Sequence, residues 1–182
     1  MVFDEYEIKY LISQNAYEKL IEVFFGKNAT TYEQINYYYD TPDQRLRRNN
    51  TTARIRKKNG KLTATIKEHS NGTTHSKETS FHVDSVSKGL SYNGEKLYLY
   101  GKMHTKRTEI DICDGVKLML DYNQYLDTED YEVEFEYEPR SYDDAIGFIG
   151  YLQSILDRDE LLIPSEPKSN RFYKSFFKSD RI

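Results

Sequence analysis

The segment Tyr131 to Tyr137 constrains this chain more than any other, because it alternates without a break. Tyr131, Val133, Phe135 and Tyr137 stand against Glu132, Glu134 and Glu136. Successive side chains of a strand point to opposite faces, so the three glutamates share one face. Ionised carboxylates at that spacing repel one another, and the face is costly unless cations are interposed. The pattern returns elsewhere. Glu5, Glu7 and Lys9 lie opposite Tyr6, Ile8 and Tyr10; Arg54 and Arg56 lie opposite Ala53 and Ile55; Thr63, Thr65 and Lys67 lie opposite Leu62, Ala64 and Ile66. Glu78, then Thr105, Arg107 and Glu109, then Asp121 fall in the same phase.

Period-two alternation predicts eight strands, at 5–10, 34–41, 52–58, 61–67, 74–83, 102–112, 116–122 and 130–138. Asn59-Gly60 and Asp114-Gly115 are hairpin turns, since these residues tolerate positive φ. Two amphipathic helices are expected. One is capped by Ser13, carries Tyr17, Leu20, Ile21, Phe24 and Phe25 on one face, and ends at Gly26. The other begins at a capping box formed by Ser141 and Asp144 and carries Ala145, Phe148, Ile149, Leu152, Ile155 and Leu156. Leu90, Leu97 and Leu99 suggest short helical pieces between 84 and 101, and 168–178 reads as a last helix. No linker or repeat interrupts the chain, so one domain over 1–182 is expected.

Composition removes several function classes. With 26 basic and 30 acidic residues the net charge is −4, which argues against a polycation for nucleic acid. No apolar run approaches the ~20 residues that span a bilayer, and Met1-Val2-Phe3-Asp4 turns acidic at once. A soluble, cytoplasmic protein with no membrane partner is the expectation. Cys113 is the one cysteine, expected as a packed thiol beside a turn, and it excludes a disulfide framework. His69, His75, His82 and His104 lack metal-motif spacing, and neither glycine-rich phosphate loop is present. Tyr37-Tyr38-Tyr39 is expected to pack in the core rather than to stack bases.

Any one of these polar faces would serve as the wet side of an antiparallel sheet. Together they segregate sign in a way that a wet face avoids. Clustered Arg and Lys call for a polyanion, and clustered carboxylates for a divalent cation such as Mg²⁺ or Mn²⁺, which takes oxygen ligands and bridges to phosphate. Closing eight strands into a barrel would turn the polar faces into a water-filled lumen and the apolar faces outward beneath the helices. The expected class is α+β, an eight-stranded antiparallel closed barrel with a polar lumen and flanking helices.

Six blocks carry a resemblance in order along the chain: Glu5-Tyr6-Glu7-Ile8-Lys9, Tyr38-Tyr39-Asp40-Thr41-Pro42-Asp43, Ala53-Arg54-Ile55-Arg56, Leu62-Thr63-Ala64-Thr65-Ile66-Lys67, Tyr131-Glu132-Val133-Glu134-Phe135-Glu136 and Lys168-Ser169-Asn170-Arg171-Phe172. They resemble the CYTH proteins, or triphosphate tunnel metalloenzymes, and in particular short bacterial members, some labelled adenylate cyclases. The resemblance implies Mg²⁺- or Mn²⁺-dependent chemistry on a small triphosphorylated substrate. Glu5, Glu7, Asp121, Glu132 and Glu134 would then hold metal. Lys9, Arg54, Arg56, Lys67 and Arg107 would bind the triphosphate, joined by Lys168 or Arg171 from the tail, with Glu5, Lys9 and Glu132 as the catalytic group. Ser76 and Asn170 depart from the family pattern, standing where a basic residue is usual. Hydrolysis of tripolyphosphate or of an organic triphosphate such as thiamine triphosphate is the first expectation. Cyclisation of ATP to cyclic AMP is the second, and a non-catalytic polyphosphate- or nucleotide-binding module the third. A homodimer is left open.

Overall fold

Alternation closes on itself in the computed structural model, which describes residues 1–24, 29–70, 74–157 and 159–179. In chain order the strands are β1 (Val2–Ile12), β2 (Thr30–Asp40), β3 (Thr51–Lys58), β4 (Lys61–His69), β5 (His75–His82), β6 (Gly89–Tyr92), β7 (Glu95–Cys113), β8 (Val116–Tyr125), β9 (Thr128–Tyr137) and β10 (Ile163–Pro164). Eight of them pair antiparallel in the order β1-β5-β4-β3-β2-β7-β8-β9, and β9 returns to β1. There Glu7 sits opposite Glu136 and Lys9 opposite Glu134. The short β6 and β10 lie outside the ring, on β7 and β1.

The outward faces are apolar and covered. Helices α1 (Gln14–Phe24) and α3 (Tyr142–Ile155) lay Leu20, Phe24, Ile149 and Leu152 over Leu118, Leu120, Val133 and Phe135. Each such buried side chain contributes roughly 1.5–3 kcal/mol. A second patch, Tyr39, Ala53, Ile55, Ala64 and Ile66, packs beneath Leu97 and Leu46, the latter from the short helix α2 (Arg45–Arg48). Ser13 caps α1 as expected, its Oγ accepting from the Ala16 N–H at 3.1 Å. The expected stop at Gly26 lies outside the described residues. Among the described residues no helix is long and apolar enough to cross a membrane.

Helix α4 (Lys168–Ser179) covers one end of the barrel instead of its side. Phe172 and Tyr173 are buried against Tyr38, Met103 and Tyr125, with the Phe172 and Tyr38 ring centroids 5.0 Å apart. Tyr38 is the register partner of Arg54 and shares its inward phase, so α4 stoppers the lumen. Gly101, opposite Tyr38 on β7, makes room for it. A Cβ there would lie 2.7 Å from Phe172 Cζ. Gly101→Ala is therefore expected to cost about 1–3 kcal/mol by overpacking, lowering the melting temperature by roughly 2–12 °C. An unchanged thermal melt would mean that the helix end does not press on β7.

Several expectations need correction. Residues 84–101 hold β6 and the start of β7 in place of helical pieces. Their hairpin turns at Asn93 and Gly94, both at positive φ, and Leu90 pairs with Leu97 across it. Ser141 does not cap α3; its hydroxyl donates to the Asp114 carbonyl at 3.1 Å, and a 3₁₀ turn, Pro139–Ser141, leads into the helix. Cys113 is exposed rather than packed, because the β7–β8 register shifts between Asp111 and Cys113 and breaks the alternation there.

Candidate active site

Strand phase brings the charged faces together. β1 carries Glu5, Glu7 and Lys9 inward, β3 Arg54 and Arg56, β4 Lys67, β7 Arg107, β8 Asp121, and β9 Glu132 and Glu134. Lys168 and Arg171 enter from α4. Cations now stand between the like charges. Lys67 Nζ donates to Glu5 and, at 2.9 Å, to Glu7. Lys9 lies 2.5 Å from Glu7 and 3.8 Å from Glu134. Arg107 meets both oxygens of Asp121 at 2.7 Å and Glu134 at 3.0 Å. Lys168 bridges Asp121 at 3.0 Å, Glu132 at 3.0 Å and Glu134 at 2.8 Å. The repulsion that made these faces unstable as open strands is thus converted into charge-assisted hydrogen bonding.

Two arginines are only lightly matched. Arg54 reaches Glu78 at 3.4 Å, and its Nε has no hydrogen-bond partner among the described residues. Arg56 donates from Nε to the neutral Asn36 Oδ1 at 2.8 Å. Burial, then Arg54 and Arg107, push the Arg56 pKa down to about 10. The positive charge of Arg56 is thus only partly balanced by its surroundings.

Other shifts follow from the same crowding. Burial raises the Glu7 carboxyl above its ordinary range against the pull of Lys9 and Lys67, with Glu134 adding to the rise. Burial also opposes ionisation of Glu134, but Lys168, Lys9 and Arg107 outweigh it and hold that group well below the carboxylate range. Glu5 is lowered in the same way, Lys67 prevailing over burial. Lys168 is raised: burial works against its charge, and Glu132, Glu134 and Asp121 prevail.

A central cavity of about 50 Å³ is walled by Glu5, Glu7, Lys9, Arg54, Arg56, Lys67, Arg107, Glu134 and Lys168. Asp121 and Glu132 are fully buried behind that wall, held by Arg107, Lys168 and Arg171. Arg171 is committed too. Its guanidinium forks onto Asp130 at 2.9 and 3.1 Å, meets Glu132, and donates to the Glu166 carbonyl at 2.8 Å. It anchors α4. Ser76, the departure on β5, approaches Glu5 at 3.4 Å. The sequence reading missed Asp130, which continues the glutamate phase of β9 by one step, and Asn36 and Tyr38, two of the inward residues of β2. His69, at the end of β4, lines the cavity, and burial, then Lys67, Lys9 and Arg54, push its pKa down to about 3.

The donor set suits a hard divalent cation, because every candidate ligand is a carboxylate oxygen. Glu132 Oε1 is buried with no hydrogen-bond partner among the described residues. Among those residues no three His, Cys, Asp or Glu side chains are gathered closely enough to hold an ion. The ammonium groups of Lys9, Lys67 and Lys168 lie between the carboxylates, and a cation would have to compete with them.

Comparison with known proteins gives a consistent answer. The sequence model of the CYTH domain matches residues 4–173. A Bacillus subtilis (strain 168) protein named "Putative triphosphatase YjbK" is 29% identical over 147 residues, 72% of this chain and 76% of that protein. The crystal structure of a Bacillus halodurans protein described as a "putative adenylate cyclase" superposes with a TM-score of 0.73 at 27% identity, covering 94% of this chain and 98% of that one. HpAC1 from Hippeastrum, described as a "putative adenylyl cyclase" that reveals a dominant triphosphatase activity, has the same fold at 20% identity and a TM-score of 0.73, covering 94% and 96%.

Proposed function

We propose, from the premise that this chain belongs to the CYTH domain family, that it is a metal-dependent hydrolase of a triphosphate, with inorganic tripolyphosphate the leading substrate. The observation that carries this reading is the pair Arg54 and Arg56, under-neutralised cations sharing one small cavity with Glu5, Glu7 and Glu134. The Bacillus subtilis relative bears a triphosphatase name, which points the same way.

Phosphoryl transfer depends mainly on positioning and charge neutralisation. Lys9, Arg54, Arg56, Lys67, Arg107 and Lys168 would take the non-bridging oxygens, exchanging carboxylate partners for phosphate. Glu5, Glu7 and Glu134, once Lys9, Lys67 and Arg107 turn from them to the phosphates and let them draw together, would hold Mg²⁺ or Mn²⁺, with Asp121 and Glu132 supporting from behind. When bound, the ion supplies charge neutralisation along the phosphate chain and a coordination site for water. Glu5 would accept the proton of water attacking the terminal phosphorus, while Lys9 offsets the charge on the transferred group. The bridging oxygen leaves with the bonding electrons. Arg171 keeps α4, and with it Lys168, in place.

A second reading has its own observation. Beside the central cavity lies a mouth of about 390 Å³, lined in part by Asn50, Thr52, His69, Pro164 and Asn170, with room for an organic group. ATP cyclisation would use it, and the Bacillus halodurans relative carries a cyclase name.

Phosphate release from tripolyphosphate, thiamine triphosphate and ATP, each with Mg²⁺ and with Mn²⁺, separates the readings. Metal-stimulated release, fastest from tripolyphosphate, is expected. Cyclic AMP as the main product from ATP would replace the hydrolase by the cyclase, and tight binding without release would leave a binding module. Arg56→Gln is expected to raise KM for the preferred substrate roughly 10- to 100-fold, the loss of one charge-assisted contact. An unchanged KM would remove Arg56 from the binding set.

A further inference from the structure

Three hydrogen-bonding side chains meet outside the lumen. Ser70 directly follows β4 and His75 opens β5, and the Ser70 N–H donates to the His75 carbonyl at 3.1 Å. Asp4 stands on β1, which pairs with β5 so that Tyr6 is opposite His75 and Asp4 is opposite Lys77. Asp4 and His75 alternate with Glu5 and Ser76, which approach each other inside the barrel, so both stand on its outer face. There His75 Nε2 lies 2.8 Å from Asp4 Oδ1, and His75 Nδ1 lies 3.1 Å from Ser70 Oγ. The Tyr6 ring packs beside the imidazole, with the centroids 5.0 Å apart.

The donor inventory fixes where the proton sits. A carboxylate only accepts, so Nε2 carries the hydrogen that points at Asp4. In the neutral imidazole Nδ1 is then an acceptor, and the Ser70 hydroxyl donates to it. Carboxylate, imidazole and hydroxyl in that order form the relay that activates a serine as a nucleophile, here with the two ring nitrogens exchanged. None of the three takes part in the phosphate chemistry of the tunnel.

Ser70 and His75 also line the mouth of about 390 Å³ beside α4. Ile8, Tyr10 and Pro164 give it an apolar side. Glu7 and Lys9, which reach it from within, neutralise each other at 2.5 Å. Asn50 is held beside the end of β4, its carbonyl accepting from the His69 N–H at 2.9 Å, and it lines the same mouth. A side-chain amide there can donate to a carbonyl oxygen as charge develops on it. Such a cavity suits a small uncharged molecule better than a polyanion.

We infer that Ser70, His75 and Asp4 form a second hydrolytic centre, acting on small uncharged carboxylic esters held in this mouth. Ser70 Oγ bonds to the ester carbonyl carbon while its proton passes to His75 Nδ1. The bond from that carbon to the alcohol oxygen breaks, and the alcohol leaves with the electron pair and takes the proton. Water then adds to the acyl carbon and gives a proton to His75. Ser70 Oγ departs with its electron pair, recovers that proton, and the carboxylic acid is released. Asp4 is a positioning residue, holding the imidazole in the tautomer that can accept.

The test is release of p-nitrophenol from p-nitrophenyl acetate and butyrate by the full chain, beside mass spectrometry after treatment with a fluorophosphonate, which bonds to activated serines. Turnover and an adduct on Ser70 are expected. Ser70→Ala should lower kcat/KM roughly 10²-fold, the scale of a positioned base acting with its nucleophile, and should melt with wild type. Asp4 is largely exposed, so water replaces part of its effect. Asp4→Asn should therefore lower kcat about tenfold at unchanged KM, and Asp4→Glu should restore part of the loss. Ester cleavage equal in Ser70→Ala and wild type would overturn the inference, because surface imidazole alone would then account for it. So would a fluorophosphonate adduct that is absent or lies on another residue, or an Asp4→Asn variant that keeps the wild-type kcat.

Discussion

Glu7→Gln is expected to lower metal-dependent phosphate release by about 10²–10³-fold, the scale of removing one preorganised charged group from a reaction centre. The fold should survive. Glu7 is buried with its carboxyl pushed above the usual range, so the neutral, isosteric amide replaces a group already disposed to lose its charge. What disappears is a carboxylate oxygen between Lys9 and Lys67, and on the proposed metal-holding role of Glu7 the metal concentration for half-activation should rise with its loss. Steady-state release across a metal titration, with circular dichroism as the control for folding, gives the comparison. Turnover equal to wild type would exclude Glu7 from the mechanism.

Arg107→Met should act chiefly on stability. Arg107 is clamped onto Asp121, which is fully buried, and onto Glu134. Removing it strands anionic groups in the wall, and breaking a buried pair from one side costs about 3–5 kcal/mol. Methionine fills much of the volume, so the loss reports charge more than cavity. Replacing Asp121 by Leu in the same chain should restore part of the deficit, because the orphaned carboxylate goes with it. Denaturant unfolding of the two variants against wild type measures this. A single variant as stable as wild type would mean that water or Lys168 alone satisfies Asp121.

The legible parts of this protein were those where one face of a strand is apolar and the other charged. On β1, β3, β4 and β9 the alternation is clean, so the inward sets Glu5-Glu7-Lys9, Arg54-Arg56, Lys67 and Glu132-Glu134 could be read by phase alone. On β2, Tyr37-Tyr38-Tyr39 is aromatic on both faces, which hid the fact that Tyr38 faces inward to meet α4. The stretch 84–101 was misread because its leucines suit either period, while Asn93-Gly94 held the better clue. Counter-ion choice was not legible at all. That Asp121 spends both oxygens on Arg107 depends on the β7–β8 register, and that Arg171 spends its guanidinium on Asp130 depends on where α4 docks. Both are long-range facts that local pattern does not contain.

Because β1 closes against β9, the first ribbon of the chain waits for nearly the last before Lys9 meets Glu134. Contacts so distant along the polypeptide are slow to form, since loop closure must be met before they reward it. Until the ring shuts and the terminal helix seats, Glu5 and Lys168 belong to separate, solvated pieces. Catalytic competence should therefore appear as one late event in refolding, together with the last burial of tyrosine, and not by degrees.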